Sequence, residues 1–147
     1  MTLPEALNYY HYRSSIDELR WLNGGDYNGI TYNSMLYLNV IANTPDCTPS
    51  KLADMVRITR PAVTIKVNEL VKRGFVVKEP SAEDKRIVYL RLNEQMREQY
   101  RAYYQHGVLA EKLMLAKYSE RETELLARML MDIANMEPEE WKHEHER

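Results

Sequence analysis

The segment that most restricts how this chain can fold is ITRPAVTIKVNELVKRGF, residues 58–75. Val63, Val67, Leu70 and Gly74 recur at steps of four, three and four, with Val71 beside them, which makes one helical stripe. Pro61, Ile65, Asn68 and Lys72 project roughly opposite that stripe, and Arg60, Ala62 and Thr64 lie near the N-terminal end. Thr59 is placed to cap the helix, and Pro61 is tolerated because first-turn amides have no intrahelical acceptor. Gly74 suits the left-handed residue that ends a helix. The outward face is small, apolar and hydrogen-bonding by turns, where a solvated helix would carry Glu and Lys.

The rest of the chain is read around this helix. About Pro4 to Leu22 suits a helix with Leu7, Tyr10, Ile16, Leu19 and Leu22 placed for burial, stopped by Asn23-Gly24-Gly25 and followed by a polar loop to Gly29. Thr31 or Asn33 caps a second helix through about Ala42. Thr48-Pro49-Ser50 opens a short third one, with Leu52, Ala53 and Val56 inward. That helix and the one beginning after Thr59 are joined by a tight turn, the helix-turn-helix arrangement. FVVKE, the turn PSAED and RIVYLRL then form a two-stranded hairpin with a charged tip. Asn93 caps a long helix to about Lys117, with Met96, Tyr100, Tyr103, Gly107, Ala110 and Met114 in a three/four rhythm. Ser119 and Glu122 make a capping box for a last helix whose stripe is Leu125, Leu126, Met129, Leu130 and Ile133. The end, EPEEWKHEHER, reads as a solvated tail.

A net charge of −2 and a pI near 6.1 conceal an uneven distribution. Residues 51–91 carry ten Lys/Arg against five Asp/Glu, a balance of +5, while the remainder carries −7. A basic middle in an acidic protein is a local electrostatic footprint of the kind nucleic acid requires. At 147 residues the expectation is a single domain, 1–147. Cys47 is the lone cysteine, so neither a disulfide framework nor a CxxC metal knuckle is available. With no membrane-length apolar run and no signal-peptide pattern, the reading is a soluble cytoplasmic, nucleoid-associated protein.

The stretch LADMVRITRPAVTIKVNELVKRGFVVKEPSAEDKRIVYLRLN resembles the MarR family of winged helix-turn-helix transcription regulators. Two pieces carry the resemblance: the helix block ending in Gly74, and Asp84-Lys85-Arg86 followed by alternating V-x-L-x-L. Asn93 and Met96 depart from the family, which usually has Thr and Gly there. The resemblance implies a mainly α fold with a small β-hairpin wing and a DNA-binding core over 31–92. It also implies a homodimer held by helices at 1–22 and 93–137. On that reading Thr59, Arg60, Pro61, Ala62, Thr64, Ile65, Lys66, Asn68, Lys72 and Arg73 meet double-stranded DNA. Lys85 and Arg86 of the wing probe the adjacent minor groove, and Asp84 braces the arginine. The function implied is a sequence-specific, ligand-responsive repressor on a pseudo-palindromic operator.

Other readings compete residue by residue. Ile65 either meets thymine methyl groups or packs on a neighbouring element. Tyr9, Tyr10, His11, Tyr12 and Arg13 form a cluster in which Tyr12 and Arg13 are candidate contacts for a small aromatic or carboxylate effector, although aromatic stripes more often serve core or interface. Cys47 reads as a plain cysteine rather than an oxidant sensor. His143-Glu144-His145 is not a zinc-protease pattern, His11 and His106 have no partner visible in the sequence, and neither metal nor cofactor is expected. No nucleophile elbow, P-loop or dinucleotide fingerprint is present, so an enzyme acting through the tyrosines lacks a reacting group. The alternative of another class is a winged-helix protein-interaction module, an antirepressor without DNA binding.

Overall fold

The computed structural model describes residues 1–24 and 29–136, apart from the side chains at 103, 104 and 106. The element order is α1 (Leu3–Asn23), α2 (Tyr32–Asn43), α3 (Pro49–Val56), α4 (Arg60–Lys72), β1 (Val76–Pro80), β2 (Val88–Leu92), α5 (Glu94–Leu115) and α6 (Glu120–Ala134). The expected tail, with His143, Glu144 and His145, and the side chain of His106 lie outside the described residues. Two compact units make up the molecule, residues 1–98 and 99–147.

Side-chain oxygens start the helices of the first unit. Thr31 accepts from the Ser34 amide at 3.2 Å, Thr48 from Lys51 at 3.1 Å and Thr59 from Ala62 at 3.4 Å. Each oxygen satisfies one of the amides that a helix start leaves without an acceptor. Thr2 and Glu5 close a capping box on α1, which therefore begins slightly before the Pro4 start that its apolar spacing suggests. Arg57 turns the backbone between α3 and α4 with φ +52°, and Gly74 ends the α4 segment with φ +76°.

The core of this unit gathers Leu38 and Ile41 of α2, Leu52 and Ala53 of α3, and Val63, Val67 and Leu70 of α4. Val76, Leu90, Leu92 and Met96 complete it. β1 and β2 pair antiparallel with Val76 opposite Leu92 and Lys78 opposite Leu90. The outer edge of β2 is held by Cys47, whose carbonyl accepts the Leu90 amide at 2.7 Å.

Two apolar stripes are less covered than their spacing implies. In α1 no residue is buried, and Tyr10 is 71% exposed. In α6 Leu125, Leu126, Met129 and Leu130 are all exposed. Periodicity tells which face of a helix is apolar; it does not supply an element to lie on it.

Asn93 clamps the end of α4 to the start of α5. Its side-chain oxygen accepts from the Met96 amide at 2.7 Å, while its Nδ2 donates to the Gly74 carbonyl at 2.6 Å. The departure from the family's usual Thr thus still caps the helix, and Met96 is buried. Asn93→Ala should lower stability by roughly 1–2 kcal/mol, since it removes a cap and a second hydrogen bond together. Urea denaturation of the two proteins measures the difference.

Candidate nucleic-acid interface

Burying Val63, Val67 and Leu70 turns the opposite side of α4 outward. Thr59, Arg60, Pro61, Ala62, Thr64, Ile65, Asn68 and Lys72 are all exposed. Ile65 is 72% exposed, so it does not pack on a neighbouring element of its own unit. Leaving such a side chain in water forgoes roughly 1.5–3 kcal/mol of burial, which a surface meeting this face would recover. The Thr64 hydroxyl donates to the Arg60 carbonyl at 2.9 Å, which leaves its oxygen facing outward as an acceptor.

The cations divide into two groups that composition does not separate. Lys66 is turned inward: its ammonium donates to the buried Ser34 hydroxyl at 2.9 Å, pairs with Glu69 at 3.0 Å and lies 5.8 Å from the Tyr37 ring centroid. Its side chain is only 15% exposed. Arg73 donates to the Gly29 carbonyl at 2.7 Å and stacks over Phe75. Arg91 is held by Asp46 at 3.0 Å and Glu79 at 3.4 Å, which raise its pKa further. In contrast, no described residue forms an ion pair with Arg60, Lys72 or Lys85. One residue that the sequence does not single out for this face is Lys78, whose ammonium donates to Oδ1 of Asn68 at 2.8 Å. The signal was available in the strand alternation, since Lys78 shares a side of β1 with the buried Val76.

At the wing tip Asp84 grips Arg86 three times. Oδ1 accepts from the backbone amide at 3.0 Å and from Nε at 3.1 Å, and Oδ2 accepts from a terminal guanidinium nitrogen at 2.9 Å. The arginine side chain remains 91% exposed. Those side-chain bonds, followed by the backbone one, hold the Asp84 carboxyl below its ordinary range. The brace is therefore complete at neutral pH and is lost only as pH falls through the lowered value. Asp84 thereby fixes the orientation of a cation that projects into solvent.

The remaining candidates are dispersed. Tyr9 and Tyr12 stack tilted at 6.1 Å on α1, and Tyr12 and Arg13 are exposed there. Within the second unit a groove of about 350 Å³ lies between α5 and α6, lined by Gly107, Val108, Ala110, Met114, Leu126 and Leu130 among others. Cys47 is buried, and burial pushes its thiol pKa up, away from the thiolate a sensor needs. Among the described residues no three His, Cys, Asp or Glu side chains are grouped to hold a metal ion, and no helix is long and apolar enough to cross a membrane.

The two classes of cation should separate experimentally. Lys66→Met should cost roughly 1–3 kcal/mol in urea denaturation, because Ser34 and Glu69 each lose one partner while keeping Thr31 and Arg73, with the salt dependence of DNA affinity unchanged. Lys72→Met should leave stability alone and lower the slope of log affinity against log salt by about one.

The comparisons with known proteins agree with this geometry. A model described as the MarR family matches residues 28–87. YdgJ of Bacillus subtilis strain 168, an uncharacterised HTH-type transcriptional regulator, is 32% identical over 113 residues, covering 74% of this chain and 69% of its own length. YybA of the same organism, also an uncharacterised HTH-type regulator, is 24% identical over 114 residues, or 78% and 76% of the two chains. Among solved structures, Streptococcus pneumoniae FabT in complex with DNA is similar with a TM-score of 0.68 at 24% identity, over 90% of this chain and 92% of that one. S. aureus MepR bound to ethidium bromide gives 0.56 at 18% identity, over 86% and 93%. These relatives are regulators rather than enzymes, and the solved ones share the winged-helix fold. With its capped reading-type helix, its Asp-braced wing tip and a family match that takes in both, the chain belongs to the MarR family of transcriptional regulators.

Proposed function

We propose that this protein is a ligand-responsive repressor that binds a pseudo-palindromic operator as a homodimer. The observation that carries the reading is the outward face of α4, where Arg60, Thr64, Ile65 and Asn68 stand exposed beside a helix N-terminus. Those groups suit a major groove: Arg60 for a guanine edge, Thr64 and Asn68 for polar base edges or phosphate, Pro61, Ala62 and Ile65 for thymine methyls. The helix start favours a nearby phosphate. Lys72 and Lys85 contact backbone, and Arg86 enters the narrow minor groove with Asp84 behind it. A structural neighbour solved in complex with DNA supports this use of the fold. The exposed cations of the helix and wing, which an antirepressor that has given up DNA would not need, favour this reading over that one.

A second copy is the partner that fits the open apolar stripe of α6 and the space over Gly107, where an added Cβ would have no neighbour within 4 Å. Two-fold symmetry then sets half-sites about one helical turn, roughly 10 base pairs, apart. The effector is a small aromatic or carboxylate-bearing molecule with Tyr12 and Arg13 among its contacts, and it acts by favouring the form that does not bind DNA. MepR bound to ethidium bromide supports a ligand-binding role for the fold.

The two arginines should leave different signatures on a base-substituted operator. Arg60→Ala should cost roughly 1–3 kcal/mol on the cognate site and relax preference at one position per half-site. Arg86→Ala should weaken all variants more evenly and reduce any preference for A·T-rich flanks. An Arg60→Ala dimer that binds every variant as the wild type does would show that α4 is not the reading helix. Sedimentation velocity should find a dimer at micromolar concentration; a folded monomer there would sink the two-fold operator.

A further inference from the structure

The contact between Lys78 and Asn68 joins the wing to the reading-type helix at a side chain exposed on the outward face. Lys78 stands on β1 opposite Leu90, on the side of the hairpin that leans against the helices, and its ammonium reaches Oδ1 of Asn68 at 2.8 Å. An ammonium has only donors to offer, so the amide atom facing it is the oxygen. The carboxamide is thereby held in one of its two senses, with the Nδ2 donors turned away from the wing.

We infer that Lys78 is a positioning residue for base selection: by holding the oxygen of Asn68 it presents that carboxamide as a donor, which favours guanine, with acceptors at both N7 and O6, or thymine O4 over adenine, whose N7 acceptor stands beside an N6 donor. This rests on the reading that α4 enters the major groove. An unrestrained asparagine recognises adenine by accepting from N6 while donating to N7. Here one lone pair of the acceptor already has a partner, and the positive charge beside it repels the partly positive N6 amino group. Guanine N7 and O6, or thymine O4, meet the amide donors and the neighbouring charge favourably on both counts. Lys78 thus influences sequence preference without touching a base.

The test starts from duplexes selected from a random pool by the full-length wild-type protein, followed by a single-substitution panel. Asn68→Ala locates the position that Asn68 reads. The wild type should prefer guanine or thymine there over adenine by roughly fivefold to a hundredfold, the range of one good base contact. Lys78→Met should shift that position alone toward adenine, and Lys78→Arg, which also has only donors, should keep the wild-type preference. Lys78→Gln serves as a second variant, with thermal melts confirming that each protein is folded. Uniform weakening by Lys78→Met, with a salt slope smaller by about one and an unchanged base profile, would make Lys78 a phosphate contact and overturn the inference alone. A wild type that prefers no duplex, or an Asn68→Ala protein whose profile matches wild type, would overturn the major-groove placement of Asn68 and this inference with it.

Discussion

Everything on the outward surface of the first unit depends on how α4 is rotated about its axis, and three side chains set that rotation. Val63, Val67 and Leu70 are almost completely buried. Turning the helix to bury Ile65 would bring that stripe into water, a loss of several kcal/mol by ordinary burial bookkeeping. The face that carries Arg60, Thr64 and Asn68 is presented because the other face has no alternative. Specific recognition needs this kind of rigidity, since a base contact displaced by an ångström is no longer a contact.

The wing is tied to the same frame by different means. Cys47 lends its carbonyl to Leu90, Val76 and Leu92 bury the base of the hairpin, and Asn93 bonds back to the Gly74 carbonyl. Lys66, Arg73 and Arg91 use their charge within the unit, against Ser34, Glu69, Gly29, Asp46 and Glu79. The basic segment is therefore partly scaffold and partly surface. Where cations are held inside, their charge contributes orientation and order; where they stand bare, it is available to a polyanion.

The order of elements, the threonine caps, the α4 stripe and the capping box on α6 were legible in the sequence because each is a local pattern with a local cause. The inward turn of Lys66 was not. Four rotatable bonds let a lysine reach either side of a helix, and what decides is Ser34, thirty-two positions away. Ile65 had two readings until its neighbours were placed. The α6 stripe was legible as apolar, but its exposure depends on whether another element covers it, and none of the described residues does; a period cannot express that. Asp84 and Arg86 could be paired in advance because they are two residues apart, and the link between Asn68 and Lys78 was missed because it crosses from helix to strand.

Gly74 bears on a different kind of limit. Its φ is +76°, yet a Cβ built there would meet nothing within 4 Å. The position penalises ordinary side chains by handedness rather than by size, since the left-handed region is where an L-residue crowds its own backbone, a cost that Arg57 bears between α3 and α4. A residue of opposite chirality would sit there without strain. If the protein were made by chemical synthesis, a D-alanine at this point would match the handedness of the backbone and narrow the conformations of the unfolded state. The joint between helix and wing is thus a stereochemical constraint, satisfied in a ribosomal protein by the one residue that has no hand.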